Sequence, residues 1–259
     1  MPPLPTAEFI DVGDRSLHVR SIEGRSSETP LVFLHEGLGS VDLWRDFPSL
    51  VVAQSGYCGF LYSRYGNGWS TPLTEPRRPR YMHEEALDVL PQVMRGIDAG
   101  PPVLIGHSDG ASIAIIYAGA GHPVRGLVLI APHVFVEPKA IRAIGELRDT
   151  FPDSELPEKM AKYHSAPEAT FRGWADIWLS PVFRSWNIEA YLDGVRCPTL
   201  VIQGEADEYG TTRQLDAVDA GLAVPARRLM VPEAEHSPHL SHMDMVTEAV
   251  ADFIVSLSP

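Results

Sequence analysis

Cysteine is nearly missing from this chain: Cys58 and Cys197 are the only two in 259 residues. Each adjoins an apolar, strand-like run, which predicts two buried free thiols and argues against a disulfide framework. Basic residues are outnumbered, with 21 Lys and Arg against 34 Asp and Glu, so the net charge is −13. A surface of that sign is repelled by phosphate backbones and anionic bilayers, so neither nucleic acid nor membrane is expected as a partner. No apolar run approaches the roughly 18 residues that a membrane-crossing helix needs. The opening Met1-Pro2-Pro3-Leu4-Pro5 lacks a basic region followed by an apolar core. No signal peptide is visible there, and a cytoplasmic location is the expectation. His18, His83, His122 and His164 are scattered without metal-ligand spacing, so no metal is expected. There is no repeat and no low-complexity stretch. Oligomeric state is not legible, and a homo-oligomer stays open.

What is present is an ordinary globular composition, 44% hydrophobic and 21% charged. The length suits one large α/β domain with a sizeable core. Residues 8–22 read as two strands joined at Gly13-Asp14. Short continuous apolar runs follow at Leu31–Leu34, Cys58–Tyr62, Val103–Ile105, Leu127–Ile130, Leu200–Ile202 and Arg228–Val231. Such runs, bounded by turn residues, fit strands buried on both faces. Between them, 42–54, 81–97, 110–120, 211–222 and 243–257 carry apolar residues at three- and four-residue spacing. The alternation predicts a mostly parallel sheet with helices on both faces. Residues 133–195 break it. They hold no convincing strand, five prolines cut them into short helices, and aromatics crowd them, among them Phe135, Trp174, Trp178 and Trp186. The expected organisation is a core of 1–132 and 196–259 with a helical lid inserted at 133–195.

Four motifs carry chemistry. Gly106-His107-Ser108-Asp109-Gly110 lies between an apolar strand and a helical run. A serine on such a sharp turn has its hydroxyl presented to solvent, and the flanking glycines avoid clashes with the strand and helix. A serine nucleophile needs a base and an orienting acid. Gly204-Glu205-Ala206-Asp207-Glu208 ends one strand and offers three carboxylates, Glu205, Asp207 and Glu208, as candidates for the acid. Glu235-His236-Ser237-Pro238-His239, followed by His242, comes after the last strand. His236 is the favoured base, and His239 and His242 read as helix-entry or surface histidines. Finally, His35-Glu36-Gly37-Leu38-Gly39-Ser40 follows Leu31–Leu34. The negative oxygen of an acyl-transfer intermediate must be met by preorganised donors. The Asp109 amide is one candidate and the Gly37 amide the other, with Leu38 in reserve. The loop Ser63–Ser70 is read as shaping the pocket floor.

Together these motifs resemble the α/β-hydrolase superfamily over nearly the whole chain. The resemblance is to the branch holding carboxylesterases, meta-cleavage-product hydrolases, proline iminopeptidases and amino-acid ester hydrolases. The departures are Glu36 and Glu235 where Gly is usual, and Ser63 where Asp is usual. The resemblance implies an α/β-hydrolase fold and a Ser108–Asp207–His236 triad with a Gly37 and Asp109 oxyanion hole. It also implies a small-molecule substrate and no cofactor. Lower in the order come Glu36, Leu38, His133, Phe135, Trp174 and Trp178 as substrate-binding residues. An ester of a small apolar or aromatic acyl group is the expected substrate. Amides, thioesters and carbon–carbon bonds are alternatives on the same machinery, and a non-catalytic binding protein is the remaining class. The Asp109 carboxylate raises one further expectation: it could receive a substrate α-amino group, or it could simply start a helix or pair with Arg64.

Overall fold

A computed structural model of the protein describes residues 8–97 and 100–257. Eight strands form one sheet in the order β1-β2-β4-β3-β5-β6-β7-β8. They are β1 Phe9–Val12, β2 Arg15–Ile22, β3 Ser26–Leu34, β4 Tyr57–Tyr62, β5 Val103–His107, β6 Gly126–Ile130, β7 Thr199–Gly204 and β8 Arg227–Val231. The first two strands pair antiparallel and β2 pairs antiparallel with β4; every later neighbour is parallel. The apolar runs are continuous because both faces of these strands are covered. Leu34, Leu104, Leu129 and Val201 pack in one layer, and Phe33, Ile105, Val128 and Ile202 in the other. Side chains alternate across a strand, so each run feeds two cores at once.

The helices are α1 Phe47–Ser55, α2 Tyr81–Glu84, α3 Leu90–Gly96, α4 Asp109–Gly119, α5 Pro138–Thr150, α6 Leu156–Met160, α7 Pro167–Leu179, α8 Thr212–Gly221, α9 Pro238–Ser241 and α10 Met243–Ser256. Two differ from the sequence pattern, both because of proline. The expected 42–54 helix is split into a short 3-10 turn, Asp42–Trp44, and α1. Pro48 fits only the first turn of a helix, so the helix begins at Phe47. The expected 81–97 helix holds a π-helical turn at Glu85–Val89. Pro91 lacks the N–H that would continue the ladder, and the extra residue is absorbed just before it.

Packed on one layer of the sheet are α2 to α5, α7 and α8, whereas α1 and α10 lie against the other. Everything between β6 and β7 is helix or turn. One isolated bridge, Phe135 to Asn187, ties the start of that stretch to its end. Cys58 and Cys197 are buried free thiols. Among the described residues no helix is long and apolar enough to cross a membrane.

Candidate active site

The carboxyl ends of β3, β5, β6, β7 and β8 converge on a cavity of about 230 Å³. Ser108 sits between β5 and α4 with φ 53° and ψ −116°, a conformation non-glycine residues seldom adopt. Such strain costs of order 1–3 kcal/mol and persists only where the surroundings enforce it. Here the Ser108 amide donates to the Ile130 carbonyl at 2.9 Å, and the amides of Ala111 and Ser112 close on its carbonyl. The flanking glycines permit the turn. A Cβ on Gly110 would lie 1.8 Å from the Leu34 carbonyl oxygen, and one on Gly106 would lie 2.4 Å from the Gly110 carbonyl oxygen.

His236 lines the same cavity from the loop after β8. Its Nδ1 lies 3.0 and 3.1 Å from the two carboxylate oxygens of Asp207. Asp207 follows β7 and also accepts the amides of Tyr209 at 2.8 Å and Gly210 at 3.0 Å, and the Gln203 side chain at 3.2 Å. Burial alone would raise the Asp207 pKa. The His236 charge and hydrogen bond, with the two amides, outweigh burial and hold the carboxylate well below its usual range. Burial alone would lower the His236 pKa; Asp207, joined by Glu208 and Glu36, reverses this and raises it above 6.5. Of the three carboxylates in that turn, Asp207 is the one on the imidazole. Glu205 is exposed. Glu208 accepts the backbone amide of His236 at 3.1 Å and faces the cavity.

Opposite lies the loop after β3. Glu36, Gly37 and Leu38 line the cavity. The Glu36 carbonyl accepts His35 Nδ1 at 2.7 Å and Arg64 Nη2 at 2.9 Å. In a trans peptide the N–H points opposite to the C=O, so anchoring this carbonyl also aims the Gly37 N–H. Asn67 Nδ2 donates to the Gly37 and Gly39 carbonyls, at 3.0 and 3.1 Å, and fixes the rest of the loop. Arg64 and Asn67 belong to the loop read from sequence as pocket floor. Trp174 of α7 lies close enough to Gly37 that a Cβ there would meet its ring at 2.2 Å.

The Glu36 carboxylate points to His107, 3.4 Å from Nδ1. Burial opposes ionisation of Glu36, but the pairing with His107 prevails and holds its pKa well below the carboxylate range. His107 Nε2 in turn faces the His236 carbonyl at 2.9 Å. His239 packs on His107, Trp44 and Phe47. It begins a helix, as its place after Pro238 suggests, but it is buried and not on the surface. Although several histidines converge here, no three His, Cys, Asp or Glu side chains among the described residues could hold a metal ion.

Two sequence expectations fail. Phe135 does not reach the cavity: its backbone is bridged to Asn187 and its ring carries the Arg213 guanidinium 5.5 Å from the centroid. The Asp109 carboxylate is not available to a substrate amine either. It is buried in the protein, where Oδ2 accepts the Tyr81 hydroxyl at 2.6 Å and lies 3.9 Å from Arg64 Nη2. The first turn of α4 brings the side chain to Tyr81, at the start of α2. Its role is indirect, because Tyr81 OH also accepts Trp178 Nε1 at 3.1 Å and so places one wall of the cavity. Glu36, Leu38, His133, Trp174 and Trp178 do line the cavity. Sequence reading missed Ala140 and Ile144 of α5, and Tyr209, whose ring lies 4.8 Å from His236. The i, i+4 spacing of Ala140 and Ile144 was the available signal. His164, dismissed as scattered, accepts the Gly68 amide at 2.9 Å and braces the floor loop.

A model described as "Alpha/beta hydrolase family" matches residues 31–249. The chain is similar to the mouse (Mus musculus) protein named Serine hydrolase BPHL, 28% identical over 196 residues. That match covers 73% of this chain and 66% of the mouse protein, so the chain spans just under two thirds of that relative's length. Among solved structures it resembles a proline iminopeptidase from Mycobacterium smegmatis, with a TM-score of 0.76 at 17% identity over 96% of this chain and 97% of the other. An esterase from Exiguobacterium antarcticum gives 0.76 at 18% over 96% and 99%. An enol-lactonase from Burkholderia xenovorans LB400 gives 0.72 at 19% over 95% and 99%. At these identities the structural likeness speaks for the fold.

Proposed function

The chain belongs to the alpha/beta hydrolase family, and from that premise we propose that it is a serine hydrolase cleaving a small carboxylic ester through an acyl-enzyme. The observation that carries the proposal is that a strained Ser108 lines the same cavity as His236, whose Nδ1 is bound to Asp207. With Nδ1–H given to Asp207, the neutral ring keeps its lone pair on Nε2, the form that can accept the serine proton. Ser108 Oγ attacks the acyl carbonyl as His236 takes that proton. Asp207 then stabilises the imidazolium. The Gly37 and Asp109 amides meet the developing oxyanion, the latter at the positive end of α4. His236 returns the proton to the leaving alcohol, and a water activated the same way releases the acid.

Helices α5 and α7 act in this reading as a lid. Ala140, Ile144, Trp174 and Trp178 supply an apolar roof that excludes water and receives the acyl group. The volume favours a small acyl compound. Of the similar proteins, those named esterase and lactonase agree with ester chemistry, the serine hydrolase name fits either bond, and the proline iminopeptidase name speaks for the amide alternative.

The test is covalent labelling with a fluorophosphonate probe alongside hydrolysis of p-nitrophenyl acyl esters. Wild type should be labelled at Ser108, and Ser108→Ala should lose labelling and drop hydrolysis by several orders of magnitude. A Ser108→Ala protein that kept more than about a tenth of wild-type hydrolysis would remove Ser108 as nucleophile.

A further inference from the structure

Resting on the serine-hydrolase reading, we propose that His133 sets substrate class by donating a hydrogen bond from Nε2 to an uncharged oxygen carried on the acyl group. His133 follows β6 and lines the cavity, yet is only 2% exposed. Its neighbours on that wall, Ala140, Ile144, Trp174 and Trp178, are apolar. Among the described residues neither ring nitrogen has a hydrogen-bond partner, and Nδ1 is sealed from solvent as well. Buried polar groups in folded proteins are nearly always paired, so an unpaired imidazole in a cavity wall calls for an occupant.

The backbone on either side of the ring is pinned. The His133 carbonyl accepts Ser112 Oγ at 2.6 Å, and the next amide, Val134, donates to Gln214 Oε1 at 2.8 Å. The imidazole stands edge-on to Trp178, 5.3 Å between centroids, and 5.7 Å from His236. Burial, and then the His236 charge, push its pKa down to about 4, so it is neutral at physiological pH. A neutral ring carries one N–H. An orphaned N–H is a rarer and costlier defect than an orphaned lone pair, so the proton belongs on Nε2, the nitrogen not sealed from solvent. What the ring offers is therefore a single donor.

The charge of the occupant follows from the other lining residues. Glu36 and Glu208 face the same space, and no Lys or Arg lines it among the described residues. A carboxylate on the acyl group would meet repulsion and find no cation. The fitting partner is a carbonyl, ether or hydroxyl oxygen on a compact acyl chain, since the cavity holds the volume of about eight waters.

The experiment compares p-nitrophenyl esters in near-isosteric pairs: methoxyacetate with butyrate, 3-hydroxybutyrate with 3-methylbutyrate, and 4-oxopentanoate with 4-methylpentanoate. Rates are divided by those of alkaline hydrolysis to remove intrinsic reactivity. Wild type should favour the oxygen-bearing member of at least one pair by roughly 5- to 150-fold in kcat/KM, the range expected for leaving a buried donor unpaired. His133→Phe keeps a ring against Trp178 and should bring that ratio close to one; His133→Gln, which retains an N–H donor, should keep part of it. No preference in any pair, or a preference that survives His133→Phe while both members slow equally, overturns the proposal. If His133→Phe fails to fold, the wild-type ratios and His133→Gln decide. A wild type that takes no fluorophosphonate label sinks the hydrolase reading along with this one, whereas labelling without oxygen preference sinks this one alone.

Discussion

Replacing Asp207 by Asn separates the chemistry of the site from its packing. Oδ1 accepts two backbone amides, Tyr209 at 2.8 Å and Gly210 at 3.0 Å. The asparagine amide must keep its oxygen there, because an NH2 would face two N–H groups. Its NH2 then takes the place of Oδ2, which lies 3.1 Å from His236 Nδ1 and 3.2 Å from Gln203 Nε2. Gln203 can adapt by turning, since its Oε1 has no partner. The imidazole then meets that NH2 at 3.1 Å beside the retained oxygen at 3.0 Å, and when it accepts the NH2 at Nδ1 its proton moves to Nε2. In that tautomer it cannot take the proton of Ser108. The expected loss in kcat is on the order of 10²–10⁴-fold, or about 2.7–5.4 kcal/mol of transition-state stabilisation. Folding should suffer far less, by about 1–2 kcal/mol, because the two backbone hydrogen bonds survive.

The assay is ester hydrolysis across pH 5–9 with thermal unfolding measured alongside. His236 must be neutral to act as base and its pKa is raised, so the wild-type acid limb should lie above 6.5. Losing the Asp207 charge should move that limb down, making the residual activity flatter between pH 6 and 8. Glu208→Gln is the control: a glutamine oxygen can still accept the His236 amide, so the cost should be only a few-fold. If Asp207→Asn kept a tenth of the activity, or if Glu208→Gln cost as much as Asp207→Asn, the tautomer argument would be wrong.

Other perturbations follow from the same contacts. Stability should fall as pH drops from about 6.5 toward 4, because burial lowers the pKa of His35, His133 and His239 and the unfolded chain binds those protons more readily. The drop from 6.5 to about 4 at His133 alone corresponds to roughly 3 kcal/mol; His236 opposes it, and a Tm that stayed flat from pH 7.5 to 5 would contradict the burial of neutral rings. Gly110→Ala should fail to fold or lose several kcal/mol, since its Cβ would sit 1.8 Å from the Leu34 carbonyl, where only backbone movement could relieve the clash; soluble expression with near wild-type Tm would refute it. Arg64→Gln should lower kcat roughly tenfold with little change in KM, because the guanidinium polarises the peptide that carries the Gly37 N–H; a change confined to KM would assign Arg64 to binding instead.

The sheet was legible because burial on both faces leaves short continuous apolar runs, and each such run named above lies within a strand. The helix boundaries at Pro48 and Pro91 are legible too, because proline fits only the first turn of a helix. Within the site, Ser108, Asp207, His236 and Gly37 are named by local pattern because each stands at the carboxyl end of a strand, where the fold delivers it. Side-chain direction is a different kind of information. Asp109 follows Ser108 directly and looks from the sequence like a neighbour of the reacting carbonyl, yet one step along α4 turns its carboxylate into the protein. Its partners, Arg64 and Tyr81, come from 45 and 28 residues earlier and meet it only when β4, α2 and α4 pack. The departure at Glu36 has the same character. A carboxylate beside the proposed oxyanion hole looks unfavourable until His107, the residue before Ser108, is found 3.4 Å from it. Such pairs are written in sequence as two separate anomalies, and packing turns each pair into a single feature. The charged residues nearest Ser108 thus hold the walls in place, while the unpaired His133 is left to face what enters.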